Sequence, residues 1–144
     1  MRRLAALVAG LAVASTASAL EYRSVAEAAV LYDAPSQKAQ PIFVITRGTP
    51  VEVVVQLDIW VKVRDAQGDL AWIEKQMLSD QRTVMVTADR AQVRAQPYDN
   101  APLAFEAEKD VLLDYIGAGP PGWIKVKHED GQQGYVKVGQ VWGF

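Results

Sequence analysis

This chain is written twice, and nothing else in it limits the fold so tightly. Trp60-Val61-Lys62-Val63-Arg64, Gly68, Trp72-Ile73 and Leu78 return as Trp123-Ile124-Lys125-Val126-Lys127, Gly131, Tyr135-Val136 and Val141, each 63 positions on. Upstream the spacing shrinks in steps. Pro35 matches Pro97 at 62, Pro41-Ile42 matches Pro102-Leu103 at 61, and Val51 matches Val111 at 60. A repeat of about sixty residues is one folding unit used twice, which sets domain boundaries at 20–80 and 81–144. The change of spacing predicts that the Gly-Ala-Gly-Pro-Pro-Gly loop before Trp123 is about three residues longer than its counterpart before Trp60.

Each unit reads as all-β. Runs rich in Val, Ile and aromatic residues alternate with Gly, Pro, Asp and Gln clusters, which predicts strands at 42–46, 51–56, 60–64 and 70–74. The second unit repeats them at 103–107, 111–116, 123–127 and 133–138, with a further strand at 83–87. No long segment carries the 3.6-residue period of an amphipathic helix. Gln67-Gly68 and Asp130-Gly131 fall between the last two long strands of each unit, where a tight hairpin needs a glycine at positive φ. Sixty residues are too few for a sandwich, so the expected architecture is two small, partly open β-barrels. Only Ser79-Asp80-Gln81 separates them. A linker that short forbids free tumbling, and a domain of this size buries so little surface that sharing an interface stabilises both.

The first nineteen residues stand apart. Arg2 and Arg3 precede an unbroken apolar run from Leu4 to Ala14, and Ala17-Ser18-Ala19 is a small-x-small site. This is the pattern of a secretory signal peptide over 1–19, cleaved after Ala19. The run is much shorter than the roughly 20 residues that span a bilayer, so no membrane anchor is expected. Cleavage would remove two of the 15 basic side chains and none of the 17 acidic ones, leaving a formal charge of about −4. Lys and Arg are dispersed among Asp and Glu, which argues against nucleic acid as a partner.

The chain holds no cysteine and a single histidine, His128. Disulfides, thiol nucleophiles, thiolate metal sites and a lipid on cysteine are thereby excluded. One histidine in a hairpin tip supplies neither a catalytic base with its nucleophile nor a zinc site. Glu106, Glu108 and Asp110 alternate as the outward face of a solvated strand would. No catalytic site, metal or cofactor is expected.

In Trp60 to Arg64 a period of two turns Val61 and Val63 inward and Trp60, Lys62 and Arg64 outward. By the same logic Ile124 and Val126 face the second core, and Trp123, Lys125 and Lys127 face out. An outward tryptophan on a small barrel covers an edge, packs on the sister unit or lines a groove. All three remain open for Trp60 and Trp123. Trp72 and Tyr135 read as structural, and Trp142 and Phe144 as closing the last barrel.

The order of features in each unit is an early strand, a Pro-containing loop, an extended pair, W-V/I-K-V, a glycine hairpin and a late aromatic-aliphatic pair. That order resembles the bacterial SH3-like domain, in its tandem exported form, across essentially the whole chain behind the signal. The family's glycine before the third strand is matched by Gly48 but replaced by Glu108, and its glycine before the late aromatic is matched by Gly134 but replaced by Ala71. The resemblance implies a ligand groove between two loops beside the leading aromatic: 32–40 with 56–59 in the first unit, and 94–101 with 117–122 in the second. Tyr32, Tyr98 and Tyr115 become candidate groove walls, next to Trp60, Lys62, Arg64, Trp123, Lys125 and Lys127. It further implies a non-catalytic periplasmic binding module for peptidoglycan stem peptides or an envelope protein. The alternative is a structural or adaptor protein of the cell envelope that takes no small ligand.

Overall fold

The computed structural model describes residues 20–144; the expected signal peptide lies outside them. The described residues form two seven-stranded antiparallel sheets, each with its own core. The first sheet contains β1 (Glu21–Val25), β2 (Ala29–Tyr32), β3 (Pro41–Ile45), β4 (Pro50–Gln56), β5 (Trp60–Arg64), β6 (Leu70–Glu74) and β7 (Leu78–Ser79), in the order β3-β2-β6-β5-β4-β1-β7. The second contains β8 (Thr83–Val86), β9 (Arg90–Arg94), β10 (Leu103–Glu108), β11 (Leu112–Ala118), β12 (Trp123–Lys127), β13 (Gln133–Lys137) and β14 (Val141–Trp142), in the same order. Two short 3-10 turns, Lys75–Met77 and Val138–Gln140, lead into β7 and β14. No helix among the described residues is long and apolar enough to cross a membrane.

Alternation explains the cores. Val61, Val63 and Ile73 meet Val25 and Val51 in the first barrel, and Val126, Val136, Val84, Val86, Val93 and Leu113 fill the second, all almost fully buried. Each side chain of this size contributes about 1.5–3 kcal/mol on burial. The expected hairpin glycines have the required backbone, with Gly68 at φ 92° and Gly131 at φ 95°.

Strand pairing corrects the alignment of the two units. Val51 faces Arg23 on β1, whereas the residue facing Val84 on β8 is Leu113, not Val111. Tyr32 pairs with Trp72 as Arg94 does with Tyr135, so the spacing is 62 from Tyr32 to Arg94 and again from Val51 to Leu113. Both fourth strands also bulge at the same place, between Val53 and Val55 and between Tyr115 and Gly117. The loops that follow are residues 57–59 and 119–122, so the second is longer by one residue rather than three. The counterpart of Gly48 is likewise Asp110, not Glu108. Gly48 (φ 81°) donates its N–H to the Val25 carbonyl, and Asp110 (φ 71°) donates its own to the Val86 carbonyl. Asp tolerates the left-handed region better than most residues. Asp110 therefore sits in a turn, while Glu106 and Glu108 stay on β10.

The units pack against each other through their first and last strands. Tyr22 meets Trp142 edge to face at 5.3 Å. The Arg82 guanidinium lies 5.7 Å from the Tyr22 ring and 5.2 Å from the Tyr115 ring, with its Nε buried and without an acceptor among the described residues. Ser24 Oγ donates to the Gln81 carbonyl at 2.6 Å, and Thr83 Oγ1 to the Gly48 carbonyl at 2.7 Å. Trp142 therefore closes the joint between barrels rather than the last barrel alone.

Candidate functional site

In the first unit the loop after β2 folds over the outward face of β5 and β6. Its base is closed by Asp33 N–H to the Gln40 carbonyl and Gln40 N–H to Asp33 Oδ1. Near its tip Gln37 Nε2 donates to Glu74 Oε1 at 2.8 Å. Glu74 stands opposite Trp60 across the β5–β6 ladder, so this bond draws the loop across the tryptophan. Tyr32 meets the Trp60 ring edge to face at 5.6 Å. On the far side of Trp60, the loop before β5 is tied to the 3-10 turn by Lys75 N–H to the Ile59 carbonyl. Between these parts lies a predominantly apolar cavity of about 510 Å³, lined by Asp58, Ile59, Trp60, Glu74, Lys75 and Gln76.

The second unit uses the same frame with other side chains. Ala95 N–H bonds the Pro102 carbonyl at the loop base, and Val138 N–H bonds the Gly122 carbonyl. Lys137 Nζ reaches Asp99 Oδ1 at 2.6 Å in the place of the Gln37–Glu74 bond and lies 5.8 Å from the Trp123 ring. That hydrogen bond, with the lysine's charge, holds the Asp99 carboxyl below its ordinary value of 3.8. The cleft beside Trp123 is smaller, about 100 Å³, and its lining includes Gln92, Arg94, Asp99 and Lys137.

The expected site residues divide. Tyr32 and Trp60 come together, but Trp60 is only 6% exposed and is no part of an open stripe. Alternation decides which side of the sheet a residue leaves by; the loop packed on that side then buried it. Lys62 lies over Trp72, its cross-strand neighbour, at 6.0 Å. Arg64 is held at 3.0 Å by Glu52 and turned away from the groove. In the second unit Trp123 borders the cleft and Lys125 lies 5.9 Å from the Tyr135 ring. Tyr98 is exposed near the loop tip. Tyr115 packs on Arg82 at the joint, and Lys127 lines a separate cleft of about 540 Å³ between the units with Arg47, Asp114 and Glu129.

Sequence reasoning put Ile59, Arg94 and Asp99 inside the groove loops without singling them out, and it missed Glu74 and Lys137. Ile59 left a signal, because an isoleucine in a three-residue loop, 70% exposed here, has no core to reach. The charged residues left none, since their roles depend on which loop crosses which strand. His128 sits in its hairpin tip beside Asp130 and against Phe105. No three of His, Asp and Glu come together as metal ligands among the described residues.

Comparison with known proteins gives one family. The profile described as the bacterial SH3 domain matches twice, over residues 25–80 and 87–143. Among solved structures, NlpC1 and NlpC2 from Trichomonas vaginalis are each 12% identical to the chain, with TM-scores of 0.41 and 0.40. An NlpC/P60 family protein from Bacillus cereus is 15% identical, with a TM-score of 0.39. These matches cover 88%, 86% and 85% of this chain and 47%, 48% and 56% of the others, so the chain spans about half their length. No curated protein matches it.

Proposed function

Since the chain belongs to the bacterial SH3 domain family and carries its module twice, we propose that it is a non-catalytic, exported binding protein whose grooves receive the peptide part of peptidoglycan. The observation that carries this reading is the first groove. A cavity of about 510 Å³ is walled by Trp60 and Ile59, with polar groups from Glu74 and Gln76 at its side. Such a site buries an apolar side chain and fixes its orientation with a few polar contacts. The signal-like sequence of residues 1–19 supports export of the chain, with the periplasm as its place of action.

Ile59 is the residue to test, because its exposure lets it be changed without opening the core. Ile59→Asp should lower sedimentation of the protein with purified cell-wall sacculi by about tenfold and leave the melting temperature within 2 °C or so. Unchanged sedimentation would refute the groove reading. Trp60→Ala is less informative, since removing a ring packed on Tyr32 costs stability as well.

One observation favours an adaptor protein instead. The edge strand β3 exposes Ile42, Phe43 and Val44, the last at 75%, where its counterpart β10 is guarded by Glu106 and Glu108. An unguarded apolar edge invites pairing with another protein. In that reading the chain ignores bare sacculi, stays with sacculi that keep their envelope proteins, and is released by Val44→Lys rather than Ile59→Asp.

A further inference from the structure

The two grooves share a frame and differ in the sign of the charge they leave unbalanced. In the first, Glu74 accepts hydrogen bonds only from neutral amides, Gln37 Nε2 at Oε1 and Gln76 Nε2 at Oε2, both at 2.8 Å. Neither Glu74 nor Asp58 makes an ion pair among the described residues. With Lys75 as the one cation on the lining, the cavity carries an excess of one negative charge. In the second groove Lys137 is neutralised by Asp99 at 2.6 Å. Arg94 is not: its Nη1 donates to the Ala101 carbonyl at 2.8 Å and its Nη2 to the Gln92 side-chain oxygen at 2.9 Å, both uncharged acceptors. That cleft carries an excess of one positive charge.

The remaining features agree with those signs. Arg94 occupies the place of Tyr32, and Lys137 that of Glu74. The first cavity, about 510 Å³ and mostly apolar, has room for an aliphatic side chain against Ile59 and the edge of Trp60, with the Glu74 and Asp58 carboxylates at its rim. The second, about 100 Å³, has room for a few atoms, which suits a carboxylate facing a guanidinium.

We propose that the grooves select ligand groups of opposite charge: the first takes an aliphatic side chain ending in an ammonium group, and the second takes a peptide carboxylate. The proposal rests on reading these grooves as peptide-binding sites. Each unit also rejects the other's ligand, because a like charge brought into a partly dry cleft is repelled.

The test follows the indole N–H signals of Trp60 and Trp123 in the full chain by NMR, with two probes. One is N-acetyl-leucyl-lysine amide, which has an ammonium group and no carboxylate. The other is N-acetyl-leucyl-alanine, which has a carboxylate and no amine. The first probe should shift Trp60 and leave Trp123, and the second should do the reverse. Glu74→Gln should weaken the first probe about tenfold and leave the second unchanged, and Arg94→Gln should do the opposite, the loss expected of one charge-assisted hydrogen bond. Should either variant misfold, Asp58→Asn and Lys137→Met each bring the net charge of the same cleft to zero and should weaken the same probe. The proposal is overturned if both probes shift both indoles alike, if neither binds, or if the variants leave the preference intact. Sacculi binding that no charge variant alters would overturn this proposal and leave the peptidoglycan reading standing. Charge-sorted probe binding without retention on sacculi would do the reverse.

Discussion

Gly134 shows how one residue records a close approach of strands. A Cβ placed there would lie 2.6 Å from the Arg94 carbonyl oxygen and 2.7 Å from Val93 Cγ1, because β13 presses on β9 beside the Tyr135–Arg94 pair. The first unit keeps Ala71 in the equivalent place and buries it, so its strands stand far enough apart for a methyl. Gly134→Ala should therefore cost about 2 kcal/mol in urea denaturation, the usual scale of overpacking. A loss below about 0.5 kcal/mol would mean that the strands part freely. Asp110 carries the opposite lesson. It keeps the positive φ and the hydrogen bond of Gly48 without being a glycine, which is why matching by residue type set the alignment two positions off.

The loop that crosses each groove is fastened at one point near its tip, by Gln37 to Glu74 or by Asp99 to Lys137. The second is an ion pair. Lys137 lowers the Asp99 carboxyl first by a hydrogen bond and then by its charge, with a smaller contribution from Arg94. A depressed carboxylate stabilises the folded form above its unfolded value, and that contribution fades as pH falls through the folded value. The tie should therefore hold at neutral pH, survive below pH 3.8, and open only in stronger acid. In Lys137→Met the Asp99 carboxyl should titrate near its ordinary value when followed by carbon-13 NMR. An unchanged titration curve would show that Lys137 does not hold it.

At the scale of the whole molecule, the joint between the units is closely packed. Gly143, at φ 116°, rests on the fully buried Pro50 of the first unit, and a Cβ there would meet the proline at 2.7 Å and the Thr83 carbonyl at 3.1 Å. Burial between Trp142 and its neighbours also raises the Tyr22 hydroxyl above 10, the nearby Glu52 charge adding to the effect and Arg82 opposing it. The unaltered chain should unfold in one calorimetric transition. Gly143→Ala adds a strained backbone and a wedge at the joint, and should divide the unfolding into two transitions. Two transitions in the unaltered chain would refute the rigid pairing.

The sequence by itself determined the module, its duplication and the inward valines, because a sixty-residue repeat and a period of two act locally and survive any packing. Trp60 and Trp123, which it singled out, border the two clefts, and Tyr32 packs on Trp60. What it missed were β1, β2 and β9, the exact spacing of the loops, and Glu74 and Lys137 beside the grooves. Trp60 looked like an open surface until the loop tied by Gln37 and Glu74 covered it. Trp142 read as closing the last barrel and Tyr115 as a groove wall until the joint brought them to Tyr22 and Arg82. Those contacts join residues tens of positions apart or in different units, and only the tertiary structure decides which of them meet.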